Sequence, residues 1–224
     1  MGQASISGQD TKESSQLEPL SNYLWQLRLY SYADLLLLLM ALRANLRQVL
    51  GDSFLWFGFL IFCEQQHKDV GRRRWPRLAS AIVWLIGLVL LPKRSSLHFL
   101  AFAILYSFKK RIKAVGIFSF LINGCIKGCL VGSLPSSDIA TVASVTAVMS
   151  IRNLAGDVRD AGKDFDEGVV SLPVLLGYRR NTRIVYPATL ATTSLLWTIL
   201  GDLPLWQLVA TWMIQLATYH RTPR

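Results

Sequence analysis

The amino-acid sequence predicts an all-α bundle of membrane-spanning helices, and three observations carry that prediction. Hydrophobic residues make up 52% of the 224-residue chain and charged residues only 17%, where soluble domains carry about 25%. The apolar residues are gathered into long runs with short polar breaks, rather than spread in the two-residue alternation of strands. The charges that remain are mostly basic, giving a net charge of +10, and they cluster in the breaks. Basic loops on one side of a polytopic membrane protein account for this pattern. A nucleic-acid binder would need a soluble basic face, so no nucleic-acid partner is expected.

Eight apolar segments follow one another, at about 24–42, 50–64, 79–92, 97–108, 114–133, 138–154, 183–200 and 203–219. Several are shorter than the roughly 20 residues that span a bilayer, which points to helices extended by polar turns buried in the protein. Residues 1–20 are polar and rich in Ser and Gln. They read as a disordered tail without the apolar stretch of a cleavable signal. The leucine run at 35–39 reads as lipid-facing packing. Trp75, Trp84, Trp197, Trp206 and Trp212 read as interfacial anchors. Cys63, Cys125 and Cys129 share no ligand spacing with the histidines and read as small packing residues.

The basic residues set the topology. With the N-terminus inside, the inner breaks hold Lys68 to Arg77, Lys109 to Lys113, Arg152 to Arg183, and Arg221 and Arg224. The outer breaks hold only Arg43, Arg47, Lys93 and Arg94, as the positive-inside rule requires. The densest acidic run falls on the same inner side. A face that is both basic and locally acidic suits a metal together with a polyanion.

That run reads Arg152-Asn-Leu-Ala-Gly-Asp157-Val-Arg-Asp160-Ala-Gly-Lys-Asp164-Phe-Asp166-Glu167-Gly168. Asp157, Asp160 and Asp164 are spaced +3 and +4, which puts three carboxylates on one helix face. Two readings fit. One is a solvated acidic loop with Arg159 and Lys163 as ion-pair partners. The other is a face whose mutual repulsion is relieved by Mg²⁺, an ion that takes oxygen ligands and shares them with phosphates and water.

These residues resemble the UbiA-type intramembrane prenyltransferases. The second aspartate motif of that family, Asp-x-x-Asp-x-x-x-Asp followed by Gly and a Leu-Pro turn ending in Leu-Gly, is similar to Asp157–Asp164, Gly168 and Ser171-Leu-Pro173-Val-Leu-Leu-Gly177. The family's Tyr-x-x-x-Lys-Arg segment is similar to Tyr106-Ser-Phe-Lys109-Lys110-Arg111, followed by Gly116 and Asn123-Gly124. The resemblance spans roughly 22–220, so 21–224 read as one transmembrane domain. Two departures stand out. Where the family has its first aspartate motif, this chain has Glu64 and Asp69. They lie about 140° apart on an ideal helix and share an ion only if the helix unwinds. A Glu64–Lys68 pair closing a helix end is the other reading. The family also has nine helices, and eight apolar segments are counted here.

The resemblance implies a bundle of eight or nine helices with a central cavity opening to the cytoplasmic side. It implies Mg²⁺ held by Asp157, Asp160 and Asp164, with Glu64 and Asp69 as further ligands. It also implies that Lys109, Arg111 and Arg72 clamp the diphosphate. Asn123 and Lys127 lie one turn apart in an apolar segment. They read as lining the same site, with Lys127 reaching for diphosphate; a lysine snorkelling to the interface is the alternative. The implied activity is transfer of a prenyl group from its diphosphate to an aromatic or lipid-like acceptor. A related terpene cyclase and a non-catalytic membrane scaffold or carrier are the other functions compatible with the altered first motif.

Overall fold

The computed structural model describes residues 23, 26–66 and 75–221. Every regular element among them is a helix: α1 (Leu29–Ala41), α2 (Leu46–Gln66), α3 (Ala79–Leu90), α4 (Lys93–Ser107), the short α5 (Lys113–Ile117), α6 (Ser119–Val131), α7 (Ile139–Asp166), the four-residue α8 (Leu172–Leu175), α9 (Val185–Leu200) and α10 (Leu205–Tyr219). The eight longer helices fall on the eight apolar segments. The fifth segment is divided at Phe118 into α5 and α6, and the sixth runs on as helix through the acidic residues to Asp166. The tail over 1–20, Lys68, Asp69 and Arg72 lie outside the described residues.

Local chemistry sets both ends of α7, the helix that carries the three aspartates. At its start the Asp138 carboxylate accepts a hydrogen bond from the Thr141 amide at 2.8 Å, satisfying one of the donors a helix N-terminus leaves open. That bond holds the Asp138 carboxyl below the usual range. At its end Gly168 adopts φ +71°, a conformation that costs other residues about 1–2 kcal/mol. The Gly168 amide donates to Phe165 O at 3.1 Å and the Val169 amide to Asp164 O at 2.7 Å, the paired bonds of a Schellman stop. The same pattern recurs where Gly177, at φ +84°, closes α8. The Gly168 and Leu-Gly177 positions of the motif are therefore helix terminators.

The core is built around α1. Leu35 and Leu39 pack with Leu55, Phe59, Phe99 and Ile126 of α2, α4 and α6. Leu37 and Leu38 pack with Val145, Met149 and Trp197 of α7 and α9. All four leucines are buried, each contributing about 1.5–3 kcal/mol. The leucine run is thus core rather than lipid-facing, with packing partners on both sides of α1. Trp197 is likewise buried rather than an interfacial anchor, whereas Trp206 is exposed. Large apolar side chains are exposed elsewhere, among them Leu85 and Val89 of α3, Ile199 and Leu200 of α9, and Met213 and Leu216 of α10.

The two halves of the bundle meet where α6 packs on α7. A Cβ added at Gly124 would stand 2.0 Å from Ser150 Oγ and 2.7 Å from Thr146 O. One added at Gly128, a turn away, would stand 2.1 Å from Thr146 Oγ1. These two small residues let the helix backbones approach closely.

Arg152 does not sit in an inner loop. It lies within α7 at 2% exposure, and its Nη1 donates to the Asp34 carboxylate of α1. Asp34 is fully buried and also accepts from Ser194 Oγ at 2.9 Å and Thr193 Oγ1 at 3.2 Å, both of α9. Gln215 of α10 donates to Ser194 Oγ at 2.8 Å.

Two expected outcomes follow from this packing. Arg152→Met leaves a buried carboxylate without its partner and should cost about 3–5 kcal/mol. The Asp34→Asn/Arg152→Met double variant should recover part of that loss, read by thermal unfolding in detergent as a double-mutant cycle. Gly124→Ala should destabilise by about 1–3 kcal/mol, because backbone Thr146 O has to move. Gly128→Ala should cost less, since the atom it meets first is a hydroxyl that can turn away.

Candidate functional site

The last turns of α7 form one wall of a cavity of about 250 Å³ at one end of the bundle. Asp157, Asp160 and Asp164 all line it, as their spacing predicts. Opposite them stand Lys109, Lys110 and Arg111 from the link between α4 and α5. Asn123 of α6 and Asn153 of α7 lie on the wall as well.

The aspartates are not equivalent. Asp157 is buried and both its oxygens are engaged: Lys109 Nζ donates to Oδ1 at 2.8 Å and Ser119 Oγ to Oδ2 at 2.9 Å. Asp164 is also buried, beside the buried Ser171 hydroxyl. The Lys109 ammonium lies 3.5 Å from Asp164 Oδ2, so one cation serves two carboxylates. Burial opposes the charge of Lys109, but Asp157, the nearby Tyr106 and Asp164 outweigh it and hold the ammonium well above the usual lysine range. Asp160 is paired through both oxygens with its neighbour Arg159, a bidentate geometry that favours arginine. The Arg159 guanidinium in turn lies 4.5 Å over the Tyr186 ring.

A second set of charges closes the rim. Lys110 Nζ meets Glu167 Oε2 at 2.7 Å, and Lys163 Nζ lies 3.5 Å from Glu167 Oε1. The Lys110 contact ties the 108–112 link to the end of α7.

The structure separates the remaining candidates. Arg111 and Asn123 line the cavity. Lys127 does not: it is fully buried on α6, with Nζ 3.1 Å from the Trp56 ring centroid, so it neither reaches the cavity nor snorkels to a surface. The Asp34 and Asp52 carboxylates, the latter accepting from Ser133 Oγ, are the counter-charges in its surroundings. Glu64 is buried behind the wall formed by its neighbours Cys63 and Gln66. It approaches the site through Arg28, whose Nη2 is 3.9 Å from Glu64 Oε1. Asp69 and Arg72 lie outside the described residues.

Arg28 and Ser119 belong to the site although their local sequence does not single them out. Arg28 precedes α1 at φ +47° and lines the cavity. Its sequence signal is a base opening the first apolar segment on the same side as the aspartates.

The Mg²⁺ that the resemblance implies is not matched by a ready donor set. Three carboxylates face one cavity, but Lys109 and Ser119 engage both oxygens of Asp157, Arg159 engages both of Asp160, and the Lys109 ammonium stands between Asp157 and Asp164. Among the described residues no three acids, histidines or cysteines converge closely enough to hold a metal by themselves. An ion here would have to take most of its shell from phosphate oxygens and water. No family model, curated protein or solved structure matches the chain.

The rim pair gives a pH prediction. Although its partial burial works the other way, Lys110 and Lys163 hold the Glu167 carboxyl below the usual glutamate range. Its stabilisation is in place at neutral pH. It fades as pH falls from the ordinary glutamate value of about 4.3 through the lowered folded value. Because the group is largely exposed, the contribution is below about 1 kcal/mol. Thermal unfolding should show a small wild-type advantage over Glu167→Gln at neutral pH that disappears in acid.

Proposed function

We propose that this chain is a multi-pass membrane enzyme that transfers a prenyl group from a prenyl diphosphate to a hydrophobic acceptor. The observation that carries the reading is the cavity itself: three carboxylates on one helix face a cluster of bases, at the end of a bundle whose interior is apolar. A metal-bound diphosphate with a hydrocarbon tail has that combination of charge, counter-charge and oil. The resemblance of the aspartate and Tyr-x-x-x-Lys segments to the UbiA-type prenyltransferases supports the same substrate class.

The membrane reading is supported by two helices long and apolar enough to cross a bilayer, α2 and α7. The exposed apolar side chains of α3, α9 and α10 add to it, since soluble monomers rarely expose large contiguous apolar patches. Arg28, Lys109, Lys110 and Arg111 gather at the cavity end, and Arg47 lies at the other, where it donates to Leu90 O. By the positive-inside rule the cavity and the N-terminus then face the cytoplasm.

In this reading Asp157, Asp160 and Asp164 would face a Mg²⁺ that takes the rest of its ligands from phosphate oxygens and water, with Glu64 reaching the site through Arg28. When bound, the ion supplies positive charge to the departing diphosphate. Lys109 and Arg111 hold phosphate oxygens and stabilise the negative charge that grows as the allylic C–O bond breaks. Asn123 orients the phosphates by hydrogen bonding. The apolar walls exclude water from the prenyl cation until the acceptor attacks it and gives up a proton.

The test is incubation of the purified protein with Mg²⁺ and labelled geranyl, farnesyl or geranylgeranyl diphosphate, with and without a lipid extract. Transfer predicts diphosphate release that depends on the extract. A hydrocarbon or terpene alcohol formed without extract would replace transfer by cyclisation. Asp157→Ala, Asp160→Ala and Asp164→Ala should each lower the rate by about 100-fold or more. Absence of release in every condition, with Asp160→Ala indistinguishable from wild type, would leave only a scaffold or carrier.

A further inference from the structure

We propose that the exposed surface formed by residues 175–184 is a docking site for the headgroups of anionic phospholipids. The inference rests on the membrane reading of the chain and needs neither a metal nor a diphosphate in the cavity.

The chemistry begins with three guanidiniums that the cavity does not use. Arg179, Arg180 and Arg183 are exposed, and none of them lines the cavity. No acidic residue stands between Glu167 and Asp202, and among the described residues no ion pair involves the three arginines. Apolar side chains flank them. Leu176 is 77% exposed and Ile184 79% exposed, and Leu175 and Tyr178 are exposed as well. Water satisfies the charges of such a surface but not its apolar part. A membrane interface satisfies both, with the apolar side chains in the acyl boundary and the guanidiniums on phosphate oxygens. Ile184 immediately precedes α9, which exposes Leu195, Ile199 and Leu200 along its length. The surface therefore stands where a lipid-facing helix would leave the bilayer.

The surface is also held in shape. Asn181 Oδ1 accepts from the Gly162 amide at 3.0 Å and from the Lys163 amide at 3.3 Å. A Cβ added at Gly162 would stand 3.0 Å from that same oxygen, so the bare glycine permits the approach. The Arg179 guanidinium lies 4.3 Å over the Phe165 ring, and the Tyr178 and Thr182 hydroxyls are hydrogen-bonded to each other. These contacts fasten the turn to the last part of α7. A turn fixed in advance loses less conformational freedom when it binds.

The experiment reconstitutes the full chain in phosphatidylcholine bilayers that carry a trace of spin-labelled phosphatidylglycerol or phosphatidylcholine. Electron paramagnetic resonance reads the share of each label held by the protein. Wild type should prefer the anionic label by about fivefold or more, and less so at high salt. Arg179→Gln/Arg180→Gln/Arg183→Gln should bring the preference down to about twofold or less, while the corresponding triple change to Lys should keep most of it, because the attraction follows charge. A second measurement on wild type covers the case in which the variants do not fold. Hydrogen exchange over 175–184 should slow when phosphatidylglycerol is added and stay unchanged with soluble glycerol phosphate. An equal preference in wild type and the Gln variant, or exchange that ignores the lipid, overturns the inference and leaves the membrane reading standing. Slowing by glycerol phosphate alone, or by poly-glutamate and not by lipid, overturns it in favour of a soluble anion or an acidic protein. Failure of wild type to enter any bilayer overturns the membrane reading as well.

Discussion

The buried pair between Asp34 and Arg152 is the constraint on which the rest of the bundle depends. Two charges withdrawn from water carry a large desolvation cost, and mutual attraction offsets it only when their remaining hydrogen-bonding capacity is satisfied. Here Thr193 and Ser194 complete the shell of Asp34, and Gln215 extends it to a fourth helix. A one-residue slip of α7 along α1 would turn Arg152 away and leave Asp34 alone in an apolar core. The pair therefore fixes the register of the helix that carries the aspartates. Asp157 lies five residues beyond Arg152, or about 7.5 Å along the axis. Arg28 lies six residues from Asp34 in the other helix and reaches the same level, on the cavity rim.

Above that level, charge is balanced by compartments. The rim pairs Lys110 and Lys163 with Glu167, Arg159 shields Asp160, and Lys109 is shared by Asp157 and Asp164. Below it, Lys127 rests on the Trp56 ring in the interior. The chain thus carries ionisable groups at several depths of an otherwise apolar bundle, some held within α7, as Arg159 holds Asp160, and others across elements, as Lys109 holds Asp157 and Arg152 holds Asp34. Such groups in membrane-embedded helices generally face the interior and act in pairs.

Much of the fold was legible in the sequence because helix-length apolar runs are a local property. The eight segments became the eight longer helices, and the +3, +4 spacing did bring three aspartates to one wall. Gly168 and Gly177 were legible too, although their role as Schellman stops required the dihedral angles. Gly124 and Gly128 carried a readable small-xxx-small pattern that the composition of the segment obscured. The leucine run at 35–39 misled, because an all-apolar helix surface looks the same whether it meets lipid or protein. Its neighbours on both sides come from distant parts of the chain.

The sequence by itself determined where the longer helices lie and the +3, +4 spacing that puts Asp157, Asp160 and Asp164 on one face once α7 continues through them, since each follows from residues within a few turns. Only the tertiary structure decided what those carboxylates meet. Lys109 is 48 residues from Asp157, and Asp34 is 118 residues from Arg152. No local pattern marks such partners, because an ion pair depends on distance in space and not on separation along the chain. The same long-range packing put Lys127 in the core, where its position in the sequence had implied the site, and brought Arg28 to the cavity.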